Sequence, residues 1–229
     1  MRLIHLLVAV LFLAGCGLQQ PPPRPQPAEQ PPAAGAVRTQ DTRPLIVAFG
    51  DSLSAGHGVP QGQSYPAHLQ RELDRRGHAY RVENAGINGD TTTGGLVRVG
   101  TIVEMKPAIV ILELGANDGL RGLPISTTRA NLEQIIQALQ QAGITIVLAG
   151  MTLPPNYGPD YIRSFERIYT DLAVKHKVTL IPFLLEGVAG TTKYMQNDGL
   201  HPTAEGNARV AANVMKFLEP LLGKSRPRR

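Results

Sequence analysis

Between residues 44 and 222 the chain alternates short apolar runs with longer stretches in which apolar residues recur every third or fourth position. "LIVAF" at 45–49, "RVENA" at 81–85, "AIVILEL" at 108–114, "ITIVLAG" at 144–150 and "VTLIP" at 178–182 read as strands. The third and fourth are nearly continuous in Val, Ile and Leu, the pattern of parallel strands buried on both faces. Helices are expected over 64–76, 93–105, 126–142, 160–176 and 203–221. In the third of these Leu132, Ile135, Ile136 and Leu139 follow i, i+3, i+4, i+7 spacing and give one apolar face. Val210, Val214, Phe217 and Leu221 recur in the same way in the last. Ser126 or Thr127 is expected to cap the 126–142 helix, and Pro202 to open the first turn of the final one. Five alternations of strand and helix indicate an α/β domain on a parallel sheet, and no internal repeat interrupts them.

The flanks read differently. "MRLIHLLVAVLFLAGC" has one early cation, Arg2, and an apolar stretch from Leu6 to Leu13. It is too short to span a bilayer and has the form of a signal peptide over 1–15. It ends in Leu13-Ala14-Gly15-Cys16, which resembles the bacterial lipobox, so Cys16 is the expected lipidation site. Cys16 is the only cysteine, so the mature domain forms no internal disulfide and rests on its core. Residues 16–43 then form a Pro-rich linker without apolar periodicity, expected to be disordered. Fully extended, it would hold a domain up to roughly 80 Å from its anchor. These features lead us to expect the protein in the bacterial cell envelope, anchored on the periplasmic side. Gly17 rather than aspartate after the cysteine favours the outer membrane.

Charge changes the picture only after it is divided along the chain. The whole sequence carries +5, but residues 44–222 hold 15 Lys and Arg against 16 Asp and Glu. The excess lies in the tails, including a basic tail over 223–229. With no basic stripe, no recognisable nucleic-acid motif and no Trp in the core, nucleic acid is not an expected partner. The domain over 44–222 is long enough for one real core.

In open parallel sheets, sites form beyond the carboxyl ends of the strands. "GDSLS" follows the first strand, "AGINGDTT" the second, "GANDG" the third and "MTLPPNYG" the fourth; "DGLHP" closes the long segment after the fifth. All fall on one edge of the sheet. A serine hydroxyl becomes a useful nucleophile only when a base takes its proton, and histidine suits that work at neutral pH. A carboxylate then fixes the imidazole and stabilises the imidazolium. Asp198 and His201, three apart in a tight turn, are spaced for that pairing, and Ser52 is the candidate hydroxyl. A developing oxyanion needs donors: the Ser52 N–H, the backbone of Gly89 and the side-chain amide of Asn117 are available types.

"FGDSLSAGHG", "NAGINGDTT", "LELGANDGLRG" and "DGLHP" resemble, in order, the four blocks of the SGNH, or GDSL, hydrolase family. "LPPNYG", "YIRSFERIY" and "LIPFLLEGV" are similar to its bacterial branch of multifunctional thioesterases, lysophospholipases and arylesterases. The resemblance implies a three-layer α/β/α sandwich, flavodoxin-like, with strand order 2-1-3-4-5. It implies Ser52 as nucleophile, His201 as base and Asp198 as its orienting carboxylate. Ser52, Gly89 and Asn117 become the oxyanion hole, and Asp51 a support for the turn. His57 stands where many relatives have an aromatic residue, and is expected in the cleft rather than as the base. "GLRGL" at 119–123 and Leu153-Pro154 are expected to flank the cleft and contact an acyl chain, through Leu123, Leu153 and Pro154 in particular.

The expected reaction is hydrolysis of acyl esters and thioesters, such as aryl esters, lysophospholipids or acyl-CoA, by a monomer without metal or cofactor. Asp90, Glu113 and Asp118 lack ligand spacing. His68, His78 and His176 are expected at the surface; Tyr157, Tyr161, Phe165 and Tyr169 in the core or cleft wall. Three alternatives stand beside this reading: a deacetylase of envelope carbohydrates, disfavoured by the absence of Trp; a short-range protease; and a non-catalytic binding module that keeps the fold.

Overall fold

Five strands form at the apolar runs: β1 Leu45–Gly50, β2 Arg81–Asn84, β3 Ile109–Glu113, β4 Thr145–Ala149 and β5 Thr179–Ile181. All pairings are parallel, in the order β2-β1-β3-β4-β5. The computed structural model describes residues 41–223. The signal-peptide, Cys16 and most linker expectations, and the basic tail past Gly223, lie outside the described residues. At the end of the expected linker, Arg43 already pairs with Asp41 at 2.7 Å and with Asp74 at 3.3 Å.

The helices are α1 Ser52–Ala55, α2 Tyr65–Arg75, α3 Thr92–Glu104, α4 Ala116–Leu120, α5 Ile125–Gln141, α6 Pro159–His176 and α7 Ala204–Leu218. The five long ones sit where periodicity put them. Three details differ. The last helix stops at Leu218 and tightens into a 3₁₀ turn over Glu219–Leu221, because Pro220 has no N–H to continue the ladder. Pro202 lies before that helix; Thr203 is its cap, accepting the Gly206 N–H at 3.1 Å. Neither Ser126 nor Thr127 caps α5, which starts from Pro124 with no side-chain cap.

Every residue of β1 and β3 is buried, as strands covered on both faces require. Right-handed crossovers carry the chain one way over one face and back over the other. Hence α2, between β1 and β2, packs with α7 on one side, while α3, α5 and α6 pack together on the opposite side. Leu132, Ile135, Ile136 and Leu139 of α5 are fully buried, each worth about 1.5–3 kcal/mol of burial. The chain leaves β1 in one direction and β3 in the other. That reversal opens a crevice at their carboxyl ends, just where Ser52 and Asn117 emerge.

Candidate active site

The turn out of β1 is built by Asp51. It is the N-cap of α1, its Oδ1 accepting the Leu53 N–H at 3.0 Å. Ser52 is therefore the first helical residue, half-buried at the strand–helix junction. The turn packs tightly on β3: a Cβ on Gly50 would run into the Ser54 hydroxyl and the Glu113 carboxylate.

The Asp–His pair comes from a loop closed by a bridge between Met195 and Pro202. Asp198 Oδ1 accepts the N–H groups of Leu200 and His201 at 2.9 and 3.0 Å. Its Oδ2 lies 2.7 Å from His201 Nδ1. His201 Nε2 lies 2.9 Å from Ser52 Oγ. With Nδ1 donating to the carboxylate, Nε2 is left as the acceptor for the serine proton. Burial alone would raise Asp198, but the hydrogen bonds from the His201 ring and the His201 and Leu200 N–H groups hold it at about 2. Gln196 ties this loop to the end of α1 by donating to the His57 carbonyl at 2.8 Å. The His57 ring lies against His201, centroids 4.5 Å apart.

Gly89 sits in a turn closed by the Asp90 N–H on the Ile87 carbonyl at 3.1 Å. Its φ of +75° suits glycine at the third position of a type II turn. The N–H groups of Ser52 and Gly89 both lack a partner among the described residues. Arg98 braces this loop. It donates to Asp90 Oδ2 and to the carbonyls of Ala85 and Gly50, all at 2.7 Å, and stacks over Phe49. Asn117 follows β3 on α4. Its Nδ2 donates to Asp51 Oδ2 at 3.0 Å and to the Asp90 carbonyl at 2.9 Å, so the amide bridges the β1 turn and the β2 loop.

Ser52, Gly89, Asn117 and His201 open into one cleft of about 480 Å³, within the range of small-molecule sites. Leu153, Pro154, Leu120 and Met151 form one wall; Phe183, Leu185, Met195 and Leu200 form another. Leu123, expected beside Leu153 and Pro154, does not line the cleft. It follows the end of α4, its carbonyl held by the Tyr161 hydroxyl at 3.0 Å, and Leu120 takes its place. Tyr157 holds the Leu120 carbonyl at 2.7 Å, while Phe165 and Tyr169 are core. His57 lines the cleft; His68, His78 and His176 do not. His176 is less exposed than expected, held by Glu133 at 3.0 Å. Among the described residues, no three His, Cys, Asp or Glu side chains group as a metal site requires.

Sequence reasoning missed Arg98 and the wall supplied by Phe183 and Met195. It treated Glu113 only as a non-ligand. A carboxylate inside an otherwise apolar strand was the signal available for Glu113.

A family model described as GDSL-like Lipase/Acylhydrolase matches residues 48–209. The chain belongs to that family. Esterase TesA of Pseudomonas aeruginosa is 45% identical over 178 residues, covering 77% of this chain and 89% of that protein. Thioesterase 1/protease 1/lysophospholipase L1 of Escherichia coli (strain K12) is 38% identical, covering 77% and 84%. A crystal structure of TesA superposes with a TM-score of 0.76 at 45% identity, covering 78% of this chain and 99% of that one. Fold and relatives together make this SGNH hydrolase an enzyme of ester bonds.

Proposed function

We propose that this SGNH hydrolase cleaves acyl esters and thioesters through an acyl-enzyme on Ser52. The observation that carries the reading is the unbroken line from Asp198 through His201 to Ser52 Oγ, with contacts of 2.7 and 2.9 Å. Ser52 Oγ attacks the carbonyl carbon as its proton passes to His201 Nε2. The oxyanion lies against the N–H groups of Ser52 and Gly89 and the Asn117 amide. Both Asn117 amide hydrogens are engaged at rest, so donation to the oxyanion shares or releases one of them. The imidazolium, facing Asp198, returns the proton to the departing alcohol or thiol. Water, deprotonated by His201, then releases the acid and restores Ser52.

The apolar walls suit a medium or long acyl chain, and relatives named as esterase and as thioesterase and lysophospholipase support that substrate class. On p-nitrophenyl esters from acetyl to octanoyl, kcat/KM is expected to rise with chain length, about tenfold for every 1.4 kcal/mol of extra transition-state contact. Equal turnover of acetyl and octanoyl esters would refute an extended acyl site.

The N-terminal sequence supports a lipid anchor at Cys16 and a place on the periplasmic side of the envelope. Cys16→Ser is expected to move the protein from the membrane pellet to the soluble fraction; a variant that still sediments with membranes would remove the anchor.

A further inference from the structure

Under the nucleophile turn lie two buried carboxyl groups that the acyl-transfer steps do not use. Asp51 and Glu113 are both fully buried, from the ends of neighbouring strands. Glu113 Oε2 accepts the Asp51 N–H at 3.1 Å and the Ser54 hydroxyl at 2.8 Å. Its Oε1 is buried with no hydrogen-bond partner. Asp51 spends one oxygen on the Leu53 N–H and the other on the Asn117 amide. Glu113 thus grips the turn that carries Ser52, and the same turn grips Asn117.

We propose that Glu113 is a positioning residue for catalysis: paired with Asp51, it fixes the nucleophile turn and, through the Asp51 carboxylate, the amide of Asn117. The inference rests on the acyl-transfer reading above. Two carboxylates cannot both be ionised at close range in a dry interior. Burial first, then the Asp51 charge, pushes Glu113 well above the usual carboxyl range; burial also raises Asp51. The pair therefore keeps one negative charge at neutral pH. The two share one proton, and Glu113, the more strongly raised of the two, is the member it favours. A second charge here would sit behind the developing oxyanion and oppose it.

The surroundings offer no competing acid. Ser54 of α1 and Tyr65 of α2 share a hydrogen bond at 3.0 Å, and burial raises Tyr65 far beyond neutral pH. Tyr169 of α6 donates to the Leu114 carbonyl and is raised likewise, chiefly by burial. Asp118 of α4 is turned to Thr92, at 2.5 Å. The nearby cation is Arg98 of α3, bound to the Gly50 carbonyl; the imidazolium that forms on His201 during the reaction favours ionised Asp51.

The sign of the pH effect follows from linkage. A carboxyl raised on folding stabilises below its unfolded pKa, about 4.3 for glutamate, and loses that contribution as pH climbs through its folded value. Glu113→Gln keeps the shape of the neutral acid and removes the titration.

The test measures melting temperature, and kcat and KM on p-nitrophenyl butyrate, from pH 5 to 9 in wild type, Glu113→Gln and Glu113→Ala. Glu113→Gln is expected to match wild-type kcat within about threefold at pH 6. Its melting temperature should gain on wild type steadily towards pH 9, and its kcat should hold at any pH where Glu113 ionises in wild type. Glu113→Ala is expected to lower kcat at least tenfold with KM within twofold. A Glu113→Gln offset in melting temperature that is the same at pH 5 and 9, with parallel kcat profiles, overturns the acid pair. So does a folded Glu113→Ala with wild-type kcat. Should Glu113→Ala not fold, the glutamine comparison decides alone. A wild type inactive on every ester would sink the acyl-transfer reading instead, and the melting offsets would still report the state of the pair.

Discussion

Ser52→Ala and His201→Ala are each expected to lower kcat on p-nitrophenyl esters by about 10⁶, with the double variant no worse than either single one. The pair acts as one unit: without the base the hydroxyl keeps its proton, and without the hydroxyl the base has nothing to activate. Their 2.9 Å contact is where the two contributions meet. Residual hydrolysis above water, about 10³-fold, should survive from binding and the oxyanion donors. A fluorophosphonate probe reads the same unit without turnover. Wild type should label and Ser52→Ala should not; labelling of the alanine variant would assign the nucleophile elsewhere.

Asp198→Asn is expected to cost on the order of 10⁴ in kcat while leaving the fold intact. The amide is nearly isosteric, and the N–H groups of Leu200 and His201 still find an oxygen. What goes is the charge facing the imidazolium and the acceptor that keeps the proton on Nδ1. Because hydrogen bonding holds this carboxyl at about 2, acid should not mimic the mutation in the weakly acidic range. The stability Asp198 contributes is present above the ordinary aspartate pKa, about 3.9, and is lost as pH falls towards 2. Its side chain is 41% exposed, so that contribution is small. Wild-type kcat at the substitution's level, or a variant within tenfold of wild type, would show that His201 is oriented by something else.

Much of this was legible in order and spacing. β3 and β4 declared themselves because a strand covered on both faces has no polar positions to spare. β2, half-exposed at the sheet edge, was legible only from its place between two helices. Ser52, Gly89, Asn117, Asp198 and His201 stood out because the fold brings strand ends together, so five dispersed loops read as one edge. The failures share a physical origin. α1 and α4 span four and five residues, too short for a 3.6-residue period to show. Without α4, the direction of Leu120 against Leu123 was not readable, and the wrong leucine was placed in the cleft. Arg98 looked like an ordinary helix cation, since its three acceptors lie on other elements. Glu113 was visible as an exception in "AIVILEL", but its meaning depends on Asp51 lying beside it, 62 positions earlier.

The separation of Ser52 from His201, 149 positions along the chain, has a consequence for how activity is acquired during synthesis. Nucleophile, oxyanion donors and all five strands are made first. The base and its carboxylate come near the end, on a loop that α7 must follow to hold in place through Thr203 and Asn207. A chain that emerges N-terminus first thus carries its serine in an unarmed state until almost the last helix has followed. Contacts of such long sequence separation form late, so the first hydrolytic turnover reports that the whole domain, not a part of it, has folded.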